Sequence, residues 1–502
     1  MNTTSRRTRT EETIKTEELT RAEIERWVSD VVIDKLPLGP SLEESLKAAR
    51  TLRRNISASG HSPLELDPYA PDTFYALCRL LMEDCSASPD LVLRDALLAS
   101  ESLGLQSCAF EDDELETLRS SLIFICWRAS RLLFRSQETQ HWEREYLLSL
   151  RRSPDWTEEQ REWQVPDWWE GLRPAKVRAL GDEGVFRTLM RLREEAEAEP
   201  RGVAIRSTAL YRCLRGPAMF AADLQSFFQG EAARLAGATL KTLGRYQNAA
   251  RWLDKAEAHF LSGADPDPQL ARIVFLRLSI LYSLTNVEAV LQGAPALEST
   301  FSRLGMEDDR VKCRILWATS LKIAGRPEAA LEILESVRDV RPEVSPRLYG
   351  WILAEAADLE AICGDFRKGM EDLRRAAEIL QREKQLTGLA NLNLMFGFMC
   401  RSRGLLGEAV ELFKASARDY ADLGMMANAA YAQLLVAETY LAMQLPRDAE
   451  AAVLKAIPIF KEEGIVLDAF AALSILRESI RQQKLDPDLL RELRDRLRPG
   501  GN

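Results

Sequence analysis

The chain has 502 residues, 46% hydrophobic and 29% charged, with a net charge of −10 and a pI near 5.3. That balance belongs to a folded protein, the length exceeds one ordinary core unless the chain is a repeat array, and the acidity argues against a nucleic-acid module, which carries a basic footprint. No apolar run reaches the roughly 18 residues of a membrane-spanning helix, and the N-terminus lacks the apolar core of a secretory signal, so a cytoplasmic protein that does not enter a membrane is expected.

Ala, Leu, Glu and Arg dominate, and these are helix formers. Residues 1–18 read as a disordered polar tail, in which Arg6, Arg7 and Arg9 precede Glu11 and Glu12. A helical block is expected over 20–150. "PLGP" (37–40) breaks its first two helices, and Ser41 with Glu44 three residues later forms a capping-box pattern. A Ser/Gly/Pro-rich loop follows, then three more helices in "TFYALCRLLMED", "PDLVLRDALLASESLG" and "DDELETLRSSLIFICWRASRLLFR". Their spacing admits degenerate repeats without a clear Gly/Ala signature.

Residues 151–185 form a Trp/Pro-rich segment. With Trp142 just upstream, Trp156, Trp163, Trp168 and Trp169 make five of the ten tryptophans fall within 28 residues. Pro154, Pro166 and Pro174 stop the segment from being one helix. Between two helical blocks, a structural joint is the favoured reading, with Trp163, Trp168 and Trp169 buried; a ligand site is the alternative.

Residues 186–484 read as a solenoid. "GRYQNAARWLDKA", "GRPEAALEILESV", "GDFRKGMEDLRRA" and "GLLGEAVELFKAS" start at Gly244, Gly325, Gly364 and Gly404. A small residue stands five positions after each Gly, a large apolar one four later, and a small or medium one three beyond that. With Ala289 and Ala449 added, the small residues Ala249, Ala289, Ala330, Gly369, Ala409 and Ala449 step by 40, 41, 39, 40 and 40. A fixed period of this size marks stacked helical hairpins, each unable to bury its apolar stripe alone. Gly suits the positive φ that ends the first helix, and the small residue admits the second helix closely. Residues 469–483 read as one more first helix. Residues 485–502 read as a capping helix and tail, with Asp486 and Pro487 at its start.

This Gly, small, large-apolar, small arrangement resembles the tetratricopeptide repeat (TPR), in the long bacterial form of about 40 residues. The family's small residue before the turn is matched by Gly237, Ala318, Ala357, Gly397 and Ala437. Its tyrosine three later is matched only by Tyr440; Leu240, Leu321, Glu360 and Cys400 stand there in the other repeats. The resemblance implies an all-α fold, an α-solenoid of helix-turn-helix repeats in a right-handed superhelix, beside the irregular N-terminal block. It also implies a concave face lined by first helices. In the family's register this face would carry Arg234, Lys241, Lys312, Thr319, Lys322, Trp351, Asp358, Asn391, Phe398, Arg401, Tyr431 and Glu438. The face would be basic mid-chain and aromatic-polar later, fitting a protein or peptide partner of acidic character. The family's carboxylate clamp does not match, since Asn391 stands alone.

No phosphate-binding, dinucleotide, nucleophile-elbow or zinc-protease motif occurs. His61, His141 and His259 have no partner implied by spacing, and the acidic run from Glu111 reads as a charged helix start. The eight cysteines form no CxxC and read as buried free thiols. No catalytic residue, cofactor or metal is expected. The expected function is a non-enzymatic scaffold or adaptor in a bacterial regulatory complex. A transcriptional regulator with a TPR sensor, and a hydrolase, are the alternatives. The oligomeric state is left open.

Overall fold

The computed structural model describes residues 42–58, 71–105, 112–152, 169, 172–196, 199–216, 218–284, 286–338 and 346–463. The expected tail, the helix before "PLGP", Trp156, Trp163, Trp168, the helix over 469–483 and the capping helix lie outside them.

Regular structure among the described residues is helical throughout. The N-terminal block holds α1 (Leu42–Ala58), α2 (Pro71–Asp84), α3 (Pro89–Leu105), α4 (Asp112–Leu132) and α5 (Ser136–Arg152). The short α6 (Pro174–Ala179), α7 (Gly181–Glu195) and α8 (Pro200–Leu214) follow. Six hairpins then pair α9 (Ala222–Thr242) with α10 (Tyr246–Leu261), α11 (Asp267–Ser283) with α12 (Val287–Arg303), and α13 (Glu307–Ile323) with α14 (Pro327–Arg338). The last three pair α15 (Pro346–Ile362) with α16 (Phe366–Arg382), α17 (Leu386–Ser402) with α18 (Leu406–Asp422), and α19 (Met426–Ala442) with α20 (Pro446–Glu463). From α9 to α17 each first helix packs on the next first helix, so the hairpins stack as a TPR-like α-solenoid.

The hairpin turn explains the period. Gly244 sits at φ +81°, with its N–H on the Lys241 carbonyl at 3.0 Å and the Arg245 N–H on the Leu240 carbonyl at 2.9 Å. This left-handed residue ends the helix and satisfies its last carbonyls. The small residues then let the pair close. A Cβ on Gly237 would stand 2.9 Å from the Leu253 side chain, and Ala249, Leu253 and Ala256 are fully buried. In the second hairpin the fully buried residue is Val290, followed by Ala294, whereas Ala289 is half-buried. The expected Ala289 is therefore one position early. Its N–H bonds the Asn286 side chain at 3.3 Å, in the first turn of α12.

The same turn recurs without glycine. Gln444 takes φ +61°, with the Leu445 N–H on the Tyr440 carbonyl at 2.9 Å. Phe134, between α4 and α5, takes φ +56°, with the Arg135 N–H on the Ser130 carbonyl at 2.9 Å. After it Thr139, Glu143 and Tyr146 occupy the small, large and small places and are buried. A repeat-type hairpin therefore stands inside the N-terminal block. Non-glycine side chains pay about 1–2 kcal/mol in this backbone region. Gln444→Gly should raise stability by about 0.5–1 kcal/mol after the added unfolded-state entropy is offset, read as a higher urea midpoint; a lower midpoint would refute this account of the turn.

The spiral's successive windings touch edge to edge. Residues at the ends of hairpins early in the chain meet those of hairpins much further along it. Ser136 bonds Asp265 at 2.8 Å, Gln137 donates to the Arg303 carbonyl at 3.2 Å, and Arg131 donates to the Ala264 carbonyl at 2.8 Å. Further along, a Cβ on Gly244 would lie 2.8 Å from the Ala427 methyl, and Tyr246 packs into the core of α17–α20. Arg131 is buried over Phe227 at 4.4 Å, and burial lowers its pKa to about 10 against the pull of Asp223.

Trp169 is 5% exposed and belongs to the core that joins α4, α5, α7, α8 and α9. Cys78, Cys85, Cys126, Cys213 and Cys313 are buried free thiols whose pKa values burial pushes up, away from the thiolate form. Cys363 and Cys400 depart from the expectation: Cys363 is exposed just past α15, and Cys400 in α17 is half-buried.

Candidate functional site

First helices present their inner residues to the groove at fixed distances before the turn. Three residues before Gly325 stands Lys322, and six before Gly364 stands Asp358; Lys322 Nζ meets Asp358 Oδ2 at 2.7 Å. Three before Gly404 stands Arg401, and six before Gln444 stands Glu438; they pair at 3.0 Å. The two ion pairs occupy identical register, each bridging one first helix to the next.

Other expected residues are placed differently. Arg234 is buried, not on the groove: it forks onto the buried Glu231 at 2.8 and 2.5 Å. Burial would raise Glu231, but Arg234, Arg193 and Arg272 overcome it and hold the carboxyl below its ordinary value. Lys312 is 3.9 Å from Asp309 of its own helix. Trp351 is half-buried against the core of α13, α15 and α16. Phe398 is half-buried edge-on to Phe413 at 5.4 Å, beneath the Arg401 guanidinium at 5.3 Å. Lys241, Thr319 and Asn391 are half-buried, and Tyr431 is 39% exposed. The mid-chain cations Arg234, Lys312, Lys322 and Arg401 each face a carboxylate.

Two groove residues escaped the sequence reading. Glu355 stands nine before Gly364, where the other hairpins carry Leu235, Leu276, Leu316, Met395 and Leu435. Its side chain is 12% exposed and 3.6 Å from Lys322 Nζ. Burial pushes its pKa up, with Lys322 opposing and Asp358 adding. Tyr282 of α11 lies within its electrostatic reach. Burial, then Glu355, push that hydroxyl up to about 12; Lys322 opposes, and Tyr431 of α19 adds. Comparing the hairpins column by column would have found Glu355, since a carboxylate in an apolar column is a visible exception.

Lys322, Glu355 and Asp358 thus gather from α13 and α15, with Tyr282 of α11 within electrostatic reach of them and of Tyr431 of α19. Because a raised carboxyl pKa adds stability below the unfolded value of about 4.3 and loses it as pH rises, ionised Glu355 weakens the fold at neutral pH. Glu355→Leu should therefore stabilise the protein by about 1 kcal/mol at pH 7, and the gain should shrink towards zero below about pH 4. Denaturation at both pH values checks this, and a variant less stable at pH 7 contradicts it.

His259 Nε2 is 3.2 Å from the Tyr211 hydroxyl and is lowered by burial, then by Arg215, as befits a packed side chain. Among the described residues no group of three or more His, Cys, Asp or Glu is arranged to hold a metal, and no helix is long and apolar enough to cross a membrane.

No protein-family model matches the chain, and no curated protein matches it. Among solved structures it is similar to a Rap protein complexed with competence and sporulation factor, at 13% identity, covering 73% of this chain and 97% of that one, with a TM-score of 0.42. It is also similar to aspartyl phosphate phosphatase F from Bacillus subtilis, at 14% identity over 72% and 92%, TM-score 0.35. A third is the Cut9-Hcn1 hetero-tetramer of APC/C, at 13% over 92% and 97%, TM-score 0.34.

Proposed function

We propose that the chain is a non-enzymatic protein-interaction scaffold that holds a peptide or segment of a partner protein in its inner groove. The observation that carries this reading is the cluster of Lys322, Glu355 and Asp358 on two successive first helices, with Tyr282 and Tyr431 of two more within electrostatic reach. Side chains facing solvent singly need no explanation; a gathered set on a concave wall offers a partner many contacts at once. Lys322 with Asp358 and Arg401 with Glu438 are already paired, an arrangement suited to recognition by exchange of partners. We further place the protein in a cytoplasmic bacterial regulatory complex, on the resemblance of its repeat length to the long bacterial form.

A photo-reactive amino acid at position 431 should crosslink in cells to one defined partner protein. The same amino acid at Arg251, exposed on the outer helix α10, should not. Equal labelling at both positions, or none at 431, would overturn the groove reading.

A further inference from the structure

We propose that the centre of the groove is an anchor for a cation of the partner, the ammonium or guanidinium of a Lys or Arg side chain or a peptide's N-terminal amine. This rests on the groove reading above and reverses the acidic partner expected from the sequence.

Four observations lead there. First, Glu355 fills a column in which the other hairpins carry Leu or Met. A carboxylate in a packing column costs stability, so packing does not account for it. Second, among the described residues the cluster has one cation for two carboxylates: Lys322 sits 2.7 Å from Asp358 and 3.6 Å from Glu355. The tighter bond goes to Asp358, and Glu355 is left with the longer contact. A second cation would complete the charge balance. Third, Tyr282 of α11 lies within electrostatic reach of Glu355, of Lys322 and of Tyr431 of α19. Phenol rings beside carboxylates are the surroundings in which ammonium and guanidinium groups are held, by ring faces and by charge together. Fourth, the cations expected to attract an acidic partner are committed elsewhere. Arg401 is held by Glu438, and Arg234 is buried on Glu231.

The other cavities carry less. One of about 610 Å³ lies between α3 and α5 and is bordered by Arg94, Arg135, Asp90 and Glu138, where Arg135 already bridges Asp90 and Glu138. Its charges are matched within the wall.

The test uses the full chain and two labelled 12-residue probe peptides of the same Gly/Ser/Ala background, one with four lysines, the other with four glutamates, followed by fluorescence anisotropy at physiological salt. The lysine probe should bind the parent protein. Glu355→Leu and Tyr431→Ala should each weaken it at least ten-fold. Glu371→Gln, which removes an exposed carboxylate from the outer face of α16, should leave it within two-fold. Melting curves accompany each variant, and Glu355→Leu should melt no lower than the parent, so its loss of binding cannot come from unfolding.

Preference for the glutamate probe, with loss in Lys322→Gln, overturns the cation anchor while leaving the groove as a binding site. Equal weakening by Glu371→Gln and Glu355→Leu overturns it as unspecific attraction to an acidic protein. Failure of the lysine probe to bind also overturns it, and the crosslink at position 431 then tells whether the groove reading falls with it.

Discussion

Arg272→Ala should destabilise the protein by about 3–5 kcal/mol, the largest loss expected of any single substitution considered. Arg272 lies in α11 with its side chain 7% exposed. It meets Glu143 of α5 at 2.9 Å and Asp309 of α13 at 2.8 Å, and donates to the Gln140 and Gln269 side-chain oxygens at 2.8 and 3.2 Å. Arg193 of α7 also bonds Glu143. Truncation leaves two carboxylates in a dry interior short of their main counter-charge, and such groups cost far more unpaired than paired.

The pH dependence follows from Asp309. Burial alone would raise its pKa, but Arg272, Lys312 and Arg193 win and hold the carboxyl well below the usual carboxylate range. A lowered pKa gives stability that is present above the unfolded value of about 3.9 and lost as pH falls. The parent should therefore lose stability steeply in acid, and Arg272→Ala should show a flatter acid limb. Replacing Glu143, Arg272 and Asp309 together by Leu, Met and Asn should recover most of the loss, because Leu is what the equivalent column holds in Leu253 and Leu334. Urea midpoints at pH 7 and at about pH 2.5, below the unfolded value, measure both effects. A cost under about 1 kcal/mol would show that the network contributes little.

Gly369→Ala comes second, with an expected loss of about 2–3 kcal/mol. The added Cβ would stand 2.5 Å from the Ala357 carbonyl oxygen, and 3.4 Å from two further backbone atoms of α15. A side chain in the way can turn aside; a helix backbone cannot without opening the α15–α16 pair. Gly407→Ala is the matched control. Nothing lies within 4 Å of a Cβ there, and alanine favours a helix, so that variant should gain up to about 0.5–1 kcal/mol. If both substitutions behave alike, helix propensity decides and close approach does not.

The repeat was legible because two devices index it: a residue with positive φ and small residues at a fixed distance from it. Where glycine marks the turn, as at Gly325, Gly364 and Gly404, the buried positions follow directly. Where the index is absent the reading slips, by one residue at Val290. It fails at the α4–α5 hairpin, whose turn is Phe134 and whose column residues are Thr139 and Glu143. The groove pairs Lys322–Asp358 and Arg401–Glu438 lie at register positions readable from sequence, although the pairing itself is not. Arg234 and Arg272 were hidden for a different reason. An arginine on a helix reads as solvated, and only the tertiary fold brings Glu143 within reach of residue 272.

The edge contacts between windings also change how such an array should come apart. A solenoid whose repeats touch only their neighbours unzips from its ends, one unit at a time, with energies that add along a line. Here Ser136 is bonded to Asp265 and Tyr246 is packed into the core of α17–α20, so distant hairpins share contacts. Losing a terminal hairpin exposes the edge of one much earlier in the chain. The transition becomes more cooperative than the repeat count alone implies, and refolding has to close long chain segments before those contacts form, which slows it.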